Sequence, residues 1–189
     1  MKYCSIDIET TGLDNEIHQL LEFGCVIDDL ENPLPAEELP RFQCYFPTNV
    51  FTCSAVAAVM NTEIIRRIGE ADREKYNFIN ANKFGARFKE FLIKNGFEQK
   101  KQKVTINAAG KNFSGFDGPF MSKHTDIDKH VKYRHRVLDP GILYMNKTDD
   151  AVPNMGECKI RAGLSEFVAH NAIDDAIDVI HLIRHHFLG

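Results

Sequence analysis

Two carboxylates stand two residues apart at the end of the first apolar run, Ser5-Ile6-Asp7-Ile8-Glu9-Thr10-Thr11-Gly12-Leu13. Tyr3, Ser5 and Asp7 alternate with Cys4, Ile6 and Ile8, which is the period of a β-strand. On a strand, Asp7 and Glu9 project from the same face. Side by side they repel and resist desolvation, and a hard divalent cation such as Mg²⁺ is the usual remedy. The plain alternative is an exposed strand end carrying two solvated acids. Further candidates follow downstream: Asn112-Phe113-Ser114-Gly115-Phe116-Asp117, then His170-Asn171-Ala172-Ile173-Asp174-Asp175.

The order Asp-x-Glu, then Phe-Asp, then His-x-x-x-x-Asp resembles the DEDDh 3′→5′ exonucleases, the DnaQ-like group that includes polymerase proofreading subunits, RNase T and oligoribonuclease. The resemblance runs from Ser5 to about residue 178. It implies a ribonuclease-H-like fold and a metal-dependent 3′→5′ exonuclease. Such an enzyme acts on single-stranded ends, DNA favoured, and releases nucleoside 5′-monophosphates. It further implies that Asp7, Glu9, Asp117 and Asp175 hold two Mg²⁺ or Mn²⁺ ions and that His170 is the general base. Thr10, Thr11, Gly12 and Leu13 match the segment that grips the terminal nucleotide, and Asn112 and Phe116 match a further Asn and Phe. The chain departs from the proofreading pattern H-N-x-x-F-D in two ways: Asn112 lies five residues before Asp117, not four, and position 111 is Lys. The wider spacing is similar to that of oligoribonuclease. The competing readings are an exoribonuclease like RNase T or oligoribonuclease, and a catalytically idle nucleic-acid-binding module. Relatives of the RNase T and oligoribonuclease type dimerise, which puts a homodimer among the expected assemblies.

Other acids have plainer explanations. Asp174 competes with Asp175, and the family spacing selects Asp175, leaving Asp174 as a first-turn acid favourable to the helix dipole. Asp178 is a weaker rival one turn on. Asp139-Pro140 reads as an N-cap followed by Pro at the first helical position. Glu22, in the second strand, reads as structural. His181 and His185 have i,i+4 spacing, but zinc needs a fuller ligand set, and a solvated helix end is the simpler reading.

The elements that must position these residues follow from periodicity. Strands are expected at about 2–8, 20–28 and 41–46, the three forming an antiparallel meander. Two short helical pieces are expected over 54–69, with Asn61-Thr62 capping the second, and an amphipathic helix over 81–95 with Phe84, Phe88, Phe91 and Leu92 on one face. A fourth strand at 103–107, a helix around 114–124, a fifth strand at 136–138, and helices at 163–168 and 172–187 complete the reading. This is an α/β chain with a mixed five-stranded sheet flanked by helices.

The 189 residues suit one domain, with 43% apolar residues for a core. No repeat or linker divides the chain. No apolar run reaches about 18 residues, so no transmembrane helix is expected, and the N-terminus lacks a signal-peptide layout. Five scattered cysteines without zinc spacing read as reduced thiols of a cytoplasmic protein. A net charge of −4 argues against a general DNA-coating protein, not against a nuclease that concentrates acids. Lys100, Lys101 and Lys103, and the segment Lys129-His130-Val131-Lys132-Tyr133-Arg134-His135-Arg136, offer phosphate-tracking charge or a solvated connector.

Overall fold

In the computed structural model, which describes residues 1–166 and 170–189, the alternating first run is strand β1 (Lys2–Thr10). Cys4, Ile6 and Ile8 enter one buried layer, and Tyr3, on the other face, enters a second. Strand β2 (Leu20–Asp29) pairs antiparallel with β1, setting Gly24 opposite Asp7 and Glu22 opposite Glu9. Strand β3 (Arg41–Tyr45) continues the expected meander.

Helices α1 (Ala55–Met60) and α2 (Thr62–Glu70) follow as two pieces. Ser54 caps α1 by accepting from the Ala57 N–H. Asn61 precedes α2, but its side chain makes no cap bond. Helix α3 (Ala81–Lys94) lays Phe84, Phe88 and Leu92 on the Cys4–Ile8 side of the sheet. Phe23 meets Phe84 and Phe88 edge-on, with centroids 4.7 and 5.0 Å away, a favoured aromatic geometry.

The expected five-stranded sheet is two smaller ones. Strands β4 (Gln99–Lys100), β5 (Lys103–Ile106) and β6 (Ala108–Ala109) come next. After helices α4 (Asp117–His124) and α5 (Ile127–His130) comes strand β7 (Val131–Tyr133). The sheets are β3-β2-β1-β6 and β4-β5-β7. The break falls at Asn107, whose side-chain N–H donates to the Lys2 carbonyl (2.9 Å) and whose carbonyl accepts from Cys4 N–H (2.9 Å). The partner segment bends at the same level, at His135 and Arg136. The fifth strand therefore lies at 131–133, and Leu138 keeps only an isolated bridge to Ala109.

Helix α6 (Pro140–Leu143) starts as expected, with the Asp139 carboxylate accepting from Gly141 N–H at 2.8 Å. Helix α7 (Met155–Arg161) replaces the helix expected at 163–168. It is started by a capping box between Asn154 and Glu157. Residues 163–166 are not helical, and the rest of that expected helix lies outside the described residues. The last helix, α8 (Ala172–Leu188), packs Ile173, Ala176, Val179, Ile180 and Ile183 against Tyr3 and Val26 on the side of the sheet opposite α3. Among the described residues no helix is long and apolar enough to cross a membrane.

Candidate active site

Asp7 and Glu9 face α8, and the start of α8 is drawn onto the sheet by three small features of β1 and β2. Gly24 makes room: a Cβ there would sit 2.4 Å from the Ala172 carbonyl carbon. The fully buried Glu22 accepts a hydrogen bond from Ala172 N–H (3.3 Å). Ser5 Oγ donates to the Ala176 carbonyl (2.7 Å). Asn171 caps the helix, accepting from Asp174 N–H (3.0 Å) and donating from Nδ2 to the Asp174 carboxylate (2.6 Å). Asp174 is therefore exposed and tied to its own cap, whereas Asp175 is buried. Asp178 is held by Lys159.

Asp7, Glu9 and Asp175 each offer an oxygen, and the three oxygens lie within 4.8 Å of one another. Asp117, at the start of α4, is buried alongside, its carboxylate held by the backbone N–H groups of Ile8 and of its own residue. It lies outside that trio but is electrostatically coupled to Asp7. Burial is the main force lifting the proton affinities of Asp7, Glu9 and Asp117, with repulsion added. Asp7 is raised well above the carboxylate range by burial, then by Asp117, Asp175 and Glu9. Glu9 is pushed to about 8 by burial and then by Asp175 and Glu22. Asp117 is also pushed to about 8, by burial and then by Asp139, against the help of its backbone donors. No Lys or Arg forms an ion pair with Asp7, Glu9 or Asp117 among the described residues. The donor set is oxygen only and self-repelling, with Asp7 half-buried and Glu9, Asp117 and Asp175 buried. That fits a hard dication better than it fits the protein's own cations.

A cavity of about 570 Å³ opens beside Glu9, lined by Thr10, Gly12, Leu13, Phe116, Met60 and Asn61 among others. Leu13 stands 85% exposed at its rim, with Val56 and Met60 also bare. A clustered apolar surface of this kind beside acids suits a flat aromatic ligand. The two threonines build the turn. Thr10 Oγ1 donates to the Gly12 carbonyl (2.7 Å), and Thr11 Oγ1 accepts from Gln19 N–H (2.9 Å). Thr11 is buried and does not line the cavity. Asn112 is exposed, with φ 56°, its N–H donating to Asp139 Oδ2 (2.9 Å), and it does not reach the cavity either. His170 is exposed on the residue before the Asn171 cap, with φ 50°.

Asn61 occupies the expected N-cap position of α2, its carbonyl accepting from Ile65 N–H, but its side chain makes no cap bond. Its Nδ2 donates to the Thr10 carbonyl (3.0 Å), and its side chain also bonds Glu9, moderating that acid's rise. Its Oδ1 is a buried acceptor with no partner among the described residues, in the cavity wall. An orphaned buried acceptor is costly. In sequence, Asn before Thr-Glu is indistinguishable from a cap.

No family model and no curated protein sequence matches the chain. Solved structures do. E. coli exonuclease I in complex with a dT13 oligonucleotide aligns over 97% of this chain and 40% of its own, at 15% identity and TM-score 0.61. Cell-death related nuclease 4 (CRN-4) aligns over 97% of this chain and 62% of its own, at 16% identity and TM-score 0.62. A moderately thermophilic exonuclease I from Methylocaldum szegediense aligns over 99% and 41%, at 15% identity and TM-score 0.62. This chain has the fold of those nucleases. It spans less than two thirds of the length of each of them.

Proposed function

We propose that the chain is a metal-dependent 3′→5′ exonuclease that trims single-stranded nucleic acid, DNA favoured, to nucleoside 5′-monophosphates. The observation that carries this reading is the convergence of four acids from three elements, Asp7 and Glu9 with Asp117 and Asp175, next to an apolar cavity of nucleotide size. In this reading the four carboxylates hold two Mg²⁺ or Mn²⁺ ions. When bound, such ions supply charge that offsets the negative charge growing on the attacking and leaving oxygens. Leu13 and Phe116 cover the terminal base. The exposed imidazole of His170, on the residue before the α8 cap, takes the proton of the attacking water. DNA is favoured because exonuclease I, which shares the fold, is held with dT13 and dA16 oligonucleotides.

The test is degradation of matched, 5′-labelled DNA and RNA oligonucleotides with Mg²⁺ or Mn²⁺, resolved at one nucleotide. The expected result is a ladder shortening from the 3′ end, faster on DNA, with a closed single-stranded circle untouched. Nicking of the circle, or shortening from the 5′ end, would overturn the assignment. A faster RNA ladder would make the chain an exoribonuclease.

A further inference from the structure

The sheet β4-β5-β7 has one face that the core does not use. Val104, Ile106 and Val131 point inward and are buried. Strand register places the opposite residues together: Lys100 stands across from Lys103, and Thr105 across from Lys132. Lys103 and Thr105 are two apart, so all four share the outer face. The chain continues from Lys132 to Arg134, whose N–H donates to the Ile106 carbonyl (2.9 Å). Lys100, Lys103, Lys132 and Arg134 are exposed, and none has an acidic partner among the described residues. Two troughs of about 360 and 530 Å³ indent this region, with Thr105 and Arg134 lining both. Among the described residues Glu98 is the one acid in their walls.

The arrangement is unfavourable for the protein alone. Like charges directly opposite on paired strands destabilise a sheet, and these cations collect on a chain whose net charge is −4. A row of cations, with a hydroxyl among them, matches a row of phosphates. It does not match a protein partner, which needs exposed apolar anchors. Among the described residues no large apolar side chain between positions 94 and 141 is exposed.

We propose that this face binds the phosphate backbone of single-stranded nucleic acid, several nucleotides from the end being hydrolysed. The proposal rests on the nuclease reading above. The face lies at the opposite end of β1 from the acids. Asn107, just past β5, bonds the carbonyl of Lys2, five residues before Asp7. At ~3.3 Å per residue the near edge of the face is about 17 Å along the strand from Asp7, and Lys103 lies four residues farther out. A strand stacked at about 3.4 Å per nucleotide needs at least about five nucleotides to reach that edge. Short oligonucleotides cannot reach the face, and long ones can.

The experiment measures binding without turnover: fluorescence anisotropy of labelled trinucleotide and 20-mer DNA in EDTA across a salt series. The variant is Lys103→Gln/Lys132→Gln/Arg134→Gln, and the control is Lys75→Gln/Lys89→Gln/Lys147→Gln, which removes the same charge elsewhere. Each lost phosphate contact lowers the log–log salt slope by about 0.7 on single strands, so the variant's slope for the 20-mer should fall by about 2. Trinucleotide binding and the control's slope should not change. An unchanged 20-mer slope, or an equal loss on both lengths, would overturn the proposal. So would displacement of the 20-mer by polyglutamate as effective as displacement by unlabelled DNA. Absence of hydrolysis alongside the expected slope change would overturn the catalytic reading and leave the face standing.

Discussion

Replacing Gly24 by alanine should damage the site without touching any acid. The new methyl would sit 2.4 Å from the Ala172 carbonyl carbon and 2.5 Å from its oxygen. Non-bonded carbons settle at about 3.5–4.0 Å, so the first turn of α8 must rise by about 1 Å. Asp175 lies in that turn, and its oxygen would leave the set that meets Asp7 and Glu9. A displacement of about 1 Å at a reacting centre costs on the order of 10²-fold in rate. The overpacking itself costs about 1–3 kcal/mol. The assay pairs urea unfolding with single-turnover cleavage and Mn²⁺ titration, all on folded protein. Adding Ala172→Gly relieves only the 2.8 Å side-chain contact and should not restore activity, because the clash is with backbone. A destabilised variant that keeps full rate and metal affinity would refute the idea that docking of α8 at Gly24 sets the acid's position.

Asp117→Asn and Asp7→Ala should each lower turnover by at least ~10²–10³-fold, the scale of one lost electrostatic group, and full activity in either would remove that residue from the site. In EDTA the wild-type protein should lose stability as pH rises from about 4.5 towards 8, because folded Glu9 and Asp117 keep protons that the unfolded chain releases. Asp117→Asn should flatten that trend, as thermal unfolding against pH will show. His170→Ala should cut kcat by roughly 10²–10⁴-fold and change the acidic limb of the pH–rate profile. Metal affinity should hold, and its loss with an unaltered profile would make His170 a ligand instead. Asn61→Leu removes the hydrogen bonds to the Thr10 carbonyl and to Glu9, so urea unfolding should show a loss of about 1–3 kcal/mol; unchanged stability would show that those bonds do not hold the turn.

The parts of the fold that were legible in sequence are those written in local pattern. Alternation through Cys4–Ile8 and the apolar run at 20–28 announced β1 and β2, and the same alternation put Asp7 and Glu9 on one face. The family spacing selects Asp175 over Asp174, and in the structure Asp175 is buried and Asp174 exposed. What was hidden depends on contacts distant in sequence. The split between β5 and β6 comes from Asn107 bonding Lys2, 105 residues away. Asn61 bonds Thr10 across 51 residues, and nothing local separates that from capping. Helix α7 has one local signal, Asn154 followed three residues later by Glu157, a capping signature, but the helix is too short for apolar periodicity to show it.

The central claim is that the acids form a metal site, and proton-linked metal titration tests it most directly. Calorimetry of Mn²⁺ binding at about pH 7, in two buffers of different ionisation enthalpy, reports ions bound and protons released. With Glu9 and Asp117 pushed to about 8, both acids largely hold their protons in the metal-free protein. Ligation must expel them. The account expects two ions with release of more than one proton, and both signals lost in Asp7→Ala. Binding without proton release, or heats identical in wild type and Asp7→Ala, would contradict it.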